Sequence, residues 1–192
     1  MKLLLIIFTV LQSLLATLEQ KTLVSDVSIS IADQQSQPIT YTGSLAMHGK
    51  QFTLSMFNME AAYDGNTLYI YSEDLEELTL SSPTEEELVQ TNPFLYAQAL
   101  LPICQYTEKV VGDKTMITLT PNNPSAEEGD GSMLPISKFV LRVATATLLP
   151  VSAEIHETEG NITTLRLTKA QYSDNPPAFI IEKEGAFIND LR

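Results

Sequence analysis

The densest chemistry-bearing residues in this 192-residue chain are two acidic clusters, Glu73-Asp74-Leu75-Glu76-Glu77 and Glu85-Glu86-Glu87. Two carboxylates facing each other across a sugar are the apparatus of glycoside hydrolysis, one giving a proton and the other acting as base or nucleophile. Both clusters nevertheless sit where ordinary physics already favours acids. The first falls between apolar runs, where a solvated turn is expected, and the second opens a short helix, whose N-terminal dipole stabilises negative charge. His48 and His156 are the two histidines, and neither has a partner at metal-ligand spacing, so no zinc site is expected. Cys104 is the single cysteine; it cannot form an intramolecular disulfide and reads as a small buried apolar residue at the end of a helix rather than a reactive thiol. No Gly-x-Ser-x-Gly elbow, phosphate loop or dinucleotide fingerprint is present. The residue chemistry therefore predicts no enzyme, no cofactor and no metal.

Charge narrows the partners. A formal net charge of -13 repels phosphate backbones and anionic head groups, which disfavours nucleic acid and electrostatic membrane docking. Such a surface keeps a monomer dissolved and suits partners with basic patches.

The chain opens with Met1 and Lys2, continues through the apolar run Leu3 to Leu11, and reaches Gln12 and Ser13. One positive charge followed by an apolar core predicts a secretory signal peptide over residues 1–16, with Ala16 before the cut, although Leu14 is larger than the small residue usual at that place. The stretch falls short of the roughly 20 residues that a membrane span needs. Residues 17–192 are then expected to form one exported domain, with a short amphipathic helix from Thr17 to Val24.

From Val27 the pattern changes to period two, the signature of strands with one apolar face. Leu45 and Met47 share a face, as do Phe52, Leu54 and Met56, while Asp64-Gly65 marks a hairpin between Ala61–Tyr63 and Thr67–Tyr71. Leu78 and Leu80 continue the sheet. Ser82 with Glu85, or Thr84 with Glu87, can close a capping box on a helix through Gln90, and Asn92-Pro93 starts a second helix running to Leu101. Strands return over Tyr106–Val111, Thr115–Thr120, Ser137–Thr145, Val151–His156 and Ile162–Tyr172, with a last one near Ala178–Ile181. The fold class expected is mainly β, with roughly ten or eleven short strands and a helical pair in the middle. Its large apolar residues either fill one another's space or leave a pocket beneath the helices.

Several runs carry a resemblance. Residues 43–54 (GSLAMHGKQFTL), 62–71 (AYDGNTLYIY) and 92–95 (NPFL) resemble the LolA family of periplasmic lipoprotein carriers; residues 82–88 (SPTEEEL) and 188–192 (INDLR) are similar to its Bacteroidetes-type members. The resemblance implies an incomplete antiparallel β-barrel of about eleven strands with a helical lid, closing over acyl chains. It also implies acylated lipoproteins as cargo, a Lol-type inner-membrane ABC transporter as donor and an outer-membrane acceptor. One departure stands out: His48-Gly49-Lys50 occupies the place where other members carry an Arg-Pro pair.

The lipid-binding residues expected are Leu45, Met47, Phe52, Leu54, Met56, Leu68, Ile70 and Leu78 from the sheet, with Phe94, Leu95, Leu100 and Leu101 from the lid. The methionines suit a surface that adapts to different chains. A binder of another lipid or glycolipid, without lipoprotein transfer, is the alternative.

Overall fold

The computed structural model describes residues 9–32, 37–122 and 136–192. Its element order is α1 (Val10–Leu18), β1 (Thr22–Ala32), β2 (Ile39–His48), β3 (Gln51–Met56), β4 (Met59–Tyr63), β5 (Leu68–Ser72), β6 (Glu77–Ser81), α2 (Glu85–Thr91), α3 (Pro93–Leu100), β7 (Cys104–Val111), β8 (Lys114–Pro121), β9 (Ile136–Ala144), β10 (Pro150–Glu157), β11 (Ile162–Ser173) and β12 (Phe187–Asp190). The fold is mainly β: one twelve-stranded sheet in the order β12-β6-β5-β4-β3-β2-β1-β11-β10-β9-β8-β7. Neighbours are antiparallel except β12, which runs parallel to β6. Since β7 and β12 do not pair, the barrel is incomplete, as expected.

Register assigns the faces, because directly opposed residues point the same way. One file runs Leu23, Met47, Phe52, Tyr63, Leu68 across β1 to β5 and ends in Ser81 on β6. On the other side of β1, Ile29 leads through Leu165, Ala153 and Leu141 to Ile117. These files form the inner face, and most of their residues join α1, α2 and α3 in a single apolar cluster. Gly43 lies on this face in β2, where a Cβ would come within 1.9 Å of the Ser55 carbonyl oxygen; only glycine lets the two strands approach so closely.

Three sequence expectations need correction. Leu78 is not on the inner face. It pairs with Tyr71, while Leu80 pairs with Tyr69, so both project outward into a second cluster with Ala62 and Ile181. A one-residue phase change exchanges the faces of a strand, and the turn at Glu73–Glu76 sets that phase. The expected strand over residues 178–181 is an irregular segment; Phe179 and Ile181 are buried as the alternation suggests, but the last strand is Phe187–Asp190. The N-terminal helix lies earlier than Thr17–Val24, because a capping box between Thr9 and Gln12 starts it at Val10.

That shift has a packing consequence. Val10 to Ala16, the end of the stretch read as a signal peptide, form most of α1, and Leu11 and Leu14 are 0% exposed. Residues 1–8, which open the expected signal peptide, lie outside the described residues, as do residues 33–36 and 123–135.

Candidate functional site

Three helices lie over the inner face. The backbone N–H of Val10 donates to the Glu108 carboxylate on β7 (3.2 Å), and at the other end of α1 the Gly49 N–H donates to the Leu18 carbonyl (2.7 Å). The helix is thus tied between β7 and the β2–β3 turn, with an acid at its positive end. On α2, Thr84 and Glu87 form the capping box, which selects between the two pairs the sequence offers and holds the Glu87 carboxyl below its usual range. Asn92 joins α2 to α3: its side-chain oxygen accepts from the Phe94 and Leu95 N–H groups (3.0 and 3.3 Å), and its amide lies 3.2 Å from the Met47 sulfur. A buried N-cap thereby docks the helical pair onto the wall.

Between this pair and the sheet runs a groove of about 150 Å³, lined by Ile29, Thr91, Pro93, Tyr96, Ala153, Ile155, Thr163 and Leu165. Its floor is the inner face of β1, β11 and β10; its roof is the α2–α3 junction. The lining is apolar apart from two threonines and one phenol. The Thr91 hydroxyl donates to the Leu88 carbonyl (2.9 Å). Tyr96 differs. It is 3% exposed, its ring lies 6.1 Å from that of Phe139, and its hydroxyl has no hydrogen-bond partner among the described residues. Burial pushes this phenol up to about 12, so it remains a proton donor at any ordinary pH. An unmet buried hydroxyl costs about 1–3 kcal/mol.

The residues expected from sequence are mostly brought together, but beside the groove rather than in its lining. Met47, Phe52, Phe94 and Leu100 are buried in the main cluster, and Leu45, Leu54, Met56, Leu68, Leu95 and Leu101 pack against it. Ile70 shares their face through its pairing with Ala61, whereas Leu78 lies on the opposite face. They fill space against α1 and α3. The open volume instead lies over β1, β10 and β11, where Ile29, Ile155 and Leu165 carry the same alternation as the residues expected to bind.

Along β1 the groove continues into an exposed apolar lip. Ile31 pairs with Ile39, Ile29 with Tyr41, and the Tyr41 ring meets Phe57 edge-on at 6.3 Å. Phe57 is 76% exposed and adopts a left-handed backbone (φ 54°) in the β3–β4 turn, a conformation that L-residues other than glycine and asparagine adopt at a cost. Replacing Phe57 with Asn is therefore expected to stabilise the protein by about 1 kcal/mol. A higher urea midpoint at unchanged slope would bear this out; a lower one would mean that Phe57 holds the turn through its contact with Tyr41.

The other chemistry-bearing residues stand apart. Glu73, Asp74, Glu76 and Glu85 to Glu87 are exposed, and no group of three or more His, Cys, Asp or Glu among the described residues is placed to hold a metal. Cys104 is buried where β7 begins, and burial raises its thiol. His48 approaches the Thr22 hydroxyl (3.4 Å). His156 contacts Glu154 (3.2 Å), whose carboxyl is held below its usual range by Arg142 and His156 against the opposing effect of burial.

No family model matches the chain, and no curated protein matches it. Solved structures do. An uncharacterised conserved protein from Thermus thermophilus superposes with a TM-score of 0.60 at 7% identity, over 94% of this chain and 96% of that one. That likeness fixes the fold. A LolA superfamily protein from Nitrosomonas europaea (TM-score 0.40, 13% identity, 88% of this chain and 96% of that one) is also similar, as is the lipoprotein LppX of Mycobacterium tuberculosis (TM-score 0.40, 18% identity, 88% and 98%).

Proposed function

We propose that this protein is a carrier that shelters acyl chains in the groove between its curved sheet and helices α2 and α3. The observation that supports this reading is the groove itself: an apolar slot with an incomplete barrel on one side and short, separately capped helices on the other. Shielding hydrocarbon from water needs no covalent chemistry, and each methylene transferred contributes about 0.8 kcal/mol. The relevant competitor is a bilayer, where the chain is equally dry, so partial burial makes both loading and release feasible.

In its fuller form, the proposal places the protein in the periplasm after removal of residues 1–16, working as a monomer of the Bacteroidetes-type LolA family. It takes acylated lipoproteins from a Lol-type inner-membrane transporter and passes them to an outer-membrane acceptor. The acidic surface suits donors and acceptors with basic faces. Tightly formed ligand pockets run about 300–1,000 Å³. The groove, at about 150 Å³, accommodates part of one chain unless the helices move outward. This limited volume favours a second reading, a binder of a single-chain lipid or glycolipid that performs no lipoprotein transfer.

The test is to incubate the protein with vesicles carrying a radiolabelled lipoprotein and to separate soluble from membrane-bound label. Label in a soluble one-to-one complex is the expected result. Folded protein that extracts lysolipid but no lipoprotein would establish the second reading, and extraction of neither would remove both.

A further inference from the structure

The stretch that reads as an export signal is also the stretch that fills the interior. Val10 to Ala16 make up most of α1, and Leu11 and Leu14 are completely buried in the main cluster. No residue of α1 is charged, and its polar ties to the strands lie at its two ends. Between those ends it presents Leu11, Leu14, Leu15 and Leu18 at helical spacing and packs on β8. Met47, Phe52 and Leu100, expected from sequence to hold lipid, share a cluster with these leucines, as do Ile117 on β8 and Leu141 on β9. The helix thus occupies the position that the apolar pattern suits to a hydrocarbon guest.

The wall beneath α1 continues the groove. Ala153 in the groove floor pairs with Leu141, and Leu141 pairs with Ile117. Strands β8 and β9 are each held by neighbours on both sides, so this wall keeps its place if α1 is removed. A dry apolar space of that kind takes an apolar ligand in preference to water. The face of a helix leaves a trough one side chain wide, and from Leu11 to Leu18 it runs about 10 Å. That shape fits an extended hydrocarbon chain better than a fused ring.

Resting on the carrier reading above and on cleavage after Ala16, we propose that the wall beneath α1 is the main seat of the cargo's acyl chain, left free when export removes residues 1–16. The groove of about 150 Å³ is then the open end of a longer channel. The full chain is a closed form, in which leucines of the leader stand where the acyl chain goes.

The test compares the full chain, made without export, with the chain recovered from the periplasm of an exporting bacterium, whose N-terminus is sequenced. Octanoyl, decanoyl, dodecanoyl and myristoyl lysophosphatidylcholines are titrated against each by displacement of N-phenyl-1-naphthylamine. The exported protein is expected to begin at Thr17 and to bind about fourfold more tightly for each added methylene, up to the myristoyl form. The full chain, confined to the groove, is expected to level off after the decanoyl form.

A variant of the full chain asks the same question without processing. Leu14→Ala loosens the seat of α1, so the myristoyl lysolipid should bind about tenfold more tightly than it binds the unaltered full chain, with octanoyl binding unchanged. If α1 were core and nothing else, the truncation would weaken binding at every chain length or leave it as it was. Identical chain-length profiles for the two preparations overturn the inference while leaving carriage in the groove standing. So do an exported chain that keeps Leu11 and Leu14, a Thr17 chain that fails to fold, and a Leu14→Ala variant without the gain. Failure of every lysolipid to bind either preparation overturns carriage as well.

Discussion

Replacing Ala153 with Phe is expected to abolish uptake of apolar probes while leaving the protein folded. Ala153 is a small, buried residue in the floor of the groove, set in register between Leu165 of β11 and Leu141 of β9. The side chain is only 2% exposed, so a benzyl group there fills the groove and also presses on the cluster around it, at the usual overpacking cost of about 1–3 kcal/mol, which a domain stable by about 5–15 kcal/mol withstands. The same group removes the volume that a chain would occupy. Loss of contact to only two methylenes, at about 0.8 kcal/mol each, weakens binding by more than tenfold. Titration of N-phenyl-1-naphthylamine fluorescence, with melting curves as a control for folding, measures both effects. Unchanged binding in a folded variant would mean that the groove over β1, β10 and β11 is not where ligand goes.

Leu14→Ala should have the largest effect on stability. The side chain is completely buried in the cluster that joins α1 to the inner face, and truncations of this kind cost about 2–5 kcal/mol through lost transfer energy plus a residual cavity. Against a total of about 5–15 kcal/mol for an ordinary domain, that is a substantial fraction. Urea unfolding of the full chain is the measurement, and a loss below about 1 kcal/mol would show that α1 is only loosely seated. The experiment also bears on export. Cleavage after Ala16 would delete Leu11 and Leu14 together, so the proposed processing would hollow out the interior that the full chain keeps filled. N-terminal sequencing of exported protein should accompany the unfolding data.

These two sites illustrate what the sequence disclosed and what it concealed. Strand alternation in Phe52, Leu54 and Met56, the Asp64-Gly65 hairpin and the Asn92-Pro93 helix start are local signals, and each is realised where local physics put it. The second strand of that hairpin starts at Leu68, one residue later than expected, with the Asp64 carboxylate accepting from the Asn66 and Thr67 N–H groups (2.8 Å each). Helix α1 is legible too, for Leu11, Leu14, Leu15 and Leu18 follow helical spacing and Thr9 with Gln12 makes the cap. The signal-peptide pattern overlies the same leucines and puts its boundary through them. Leu78 could not be placed, because the face of β6 depends on the length of an acidic turn and on a cover supplied by Ile181 about a hundred residues later. Nor could the groove be located. Alternation tells which side chains share a face, but which part of that face the helices fill is decided by tertiary packing.

The unpaired seam between β7 and β12 has a mechanical consequence. A closed barrel has its girth set by strand number and stagger, so enlarging its lumen means breaking ladder bonds. Among the described residues the two edge strands of this sheet do not pair, and every inter-strand bond survives if the curl relaxes slightly at each pair. Widening the interior then works against side-chain contacts beneath the helices and the bonds that tie α1 to β7 and to the β2–β3 turn, while within the sheet the resistance is elastic and spread across the whole run of strand pairs. Capacity in such a vessel is a matter of bending stiffness, and one chain can hold cargoes of different bulk without changing its hydrogen-bonded framework.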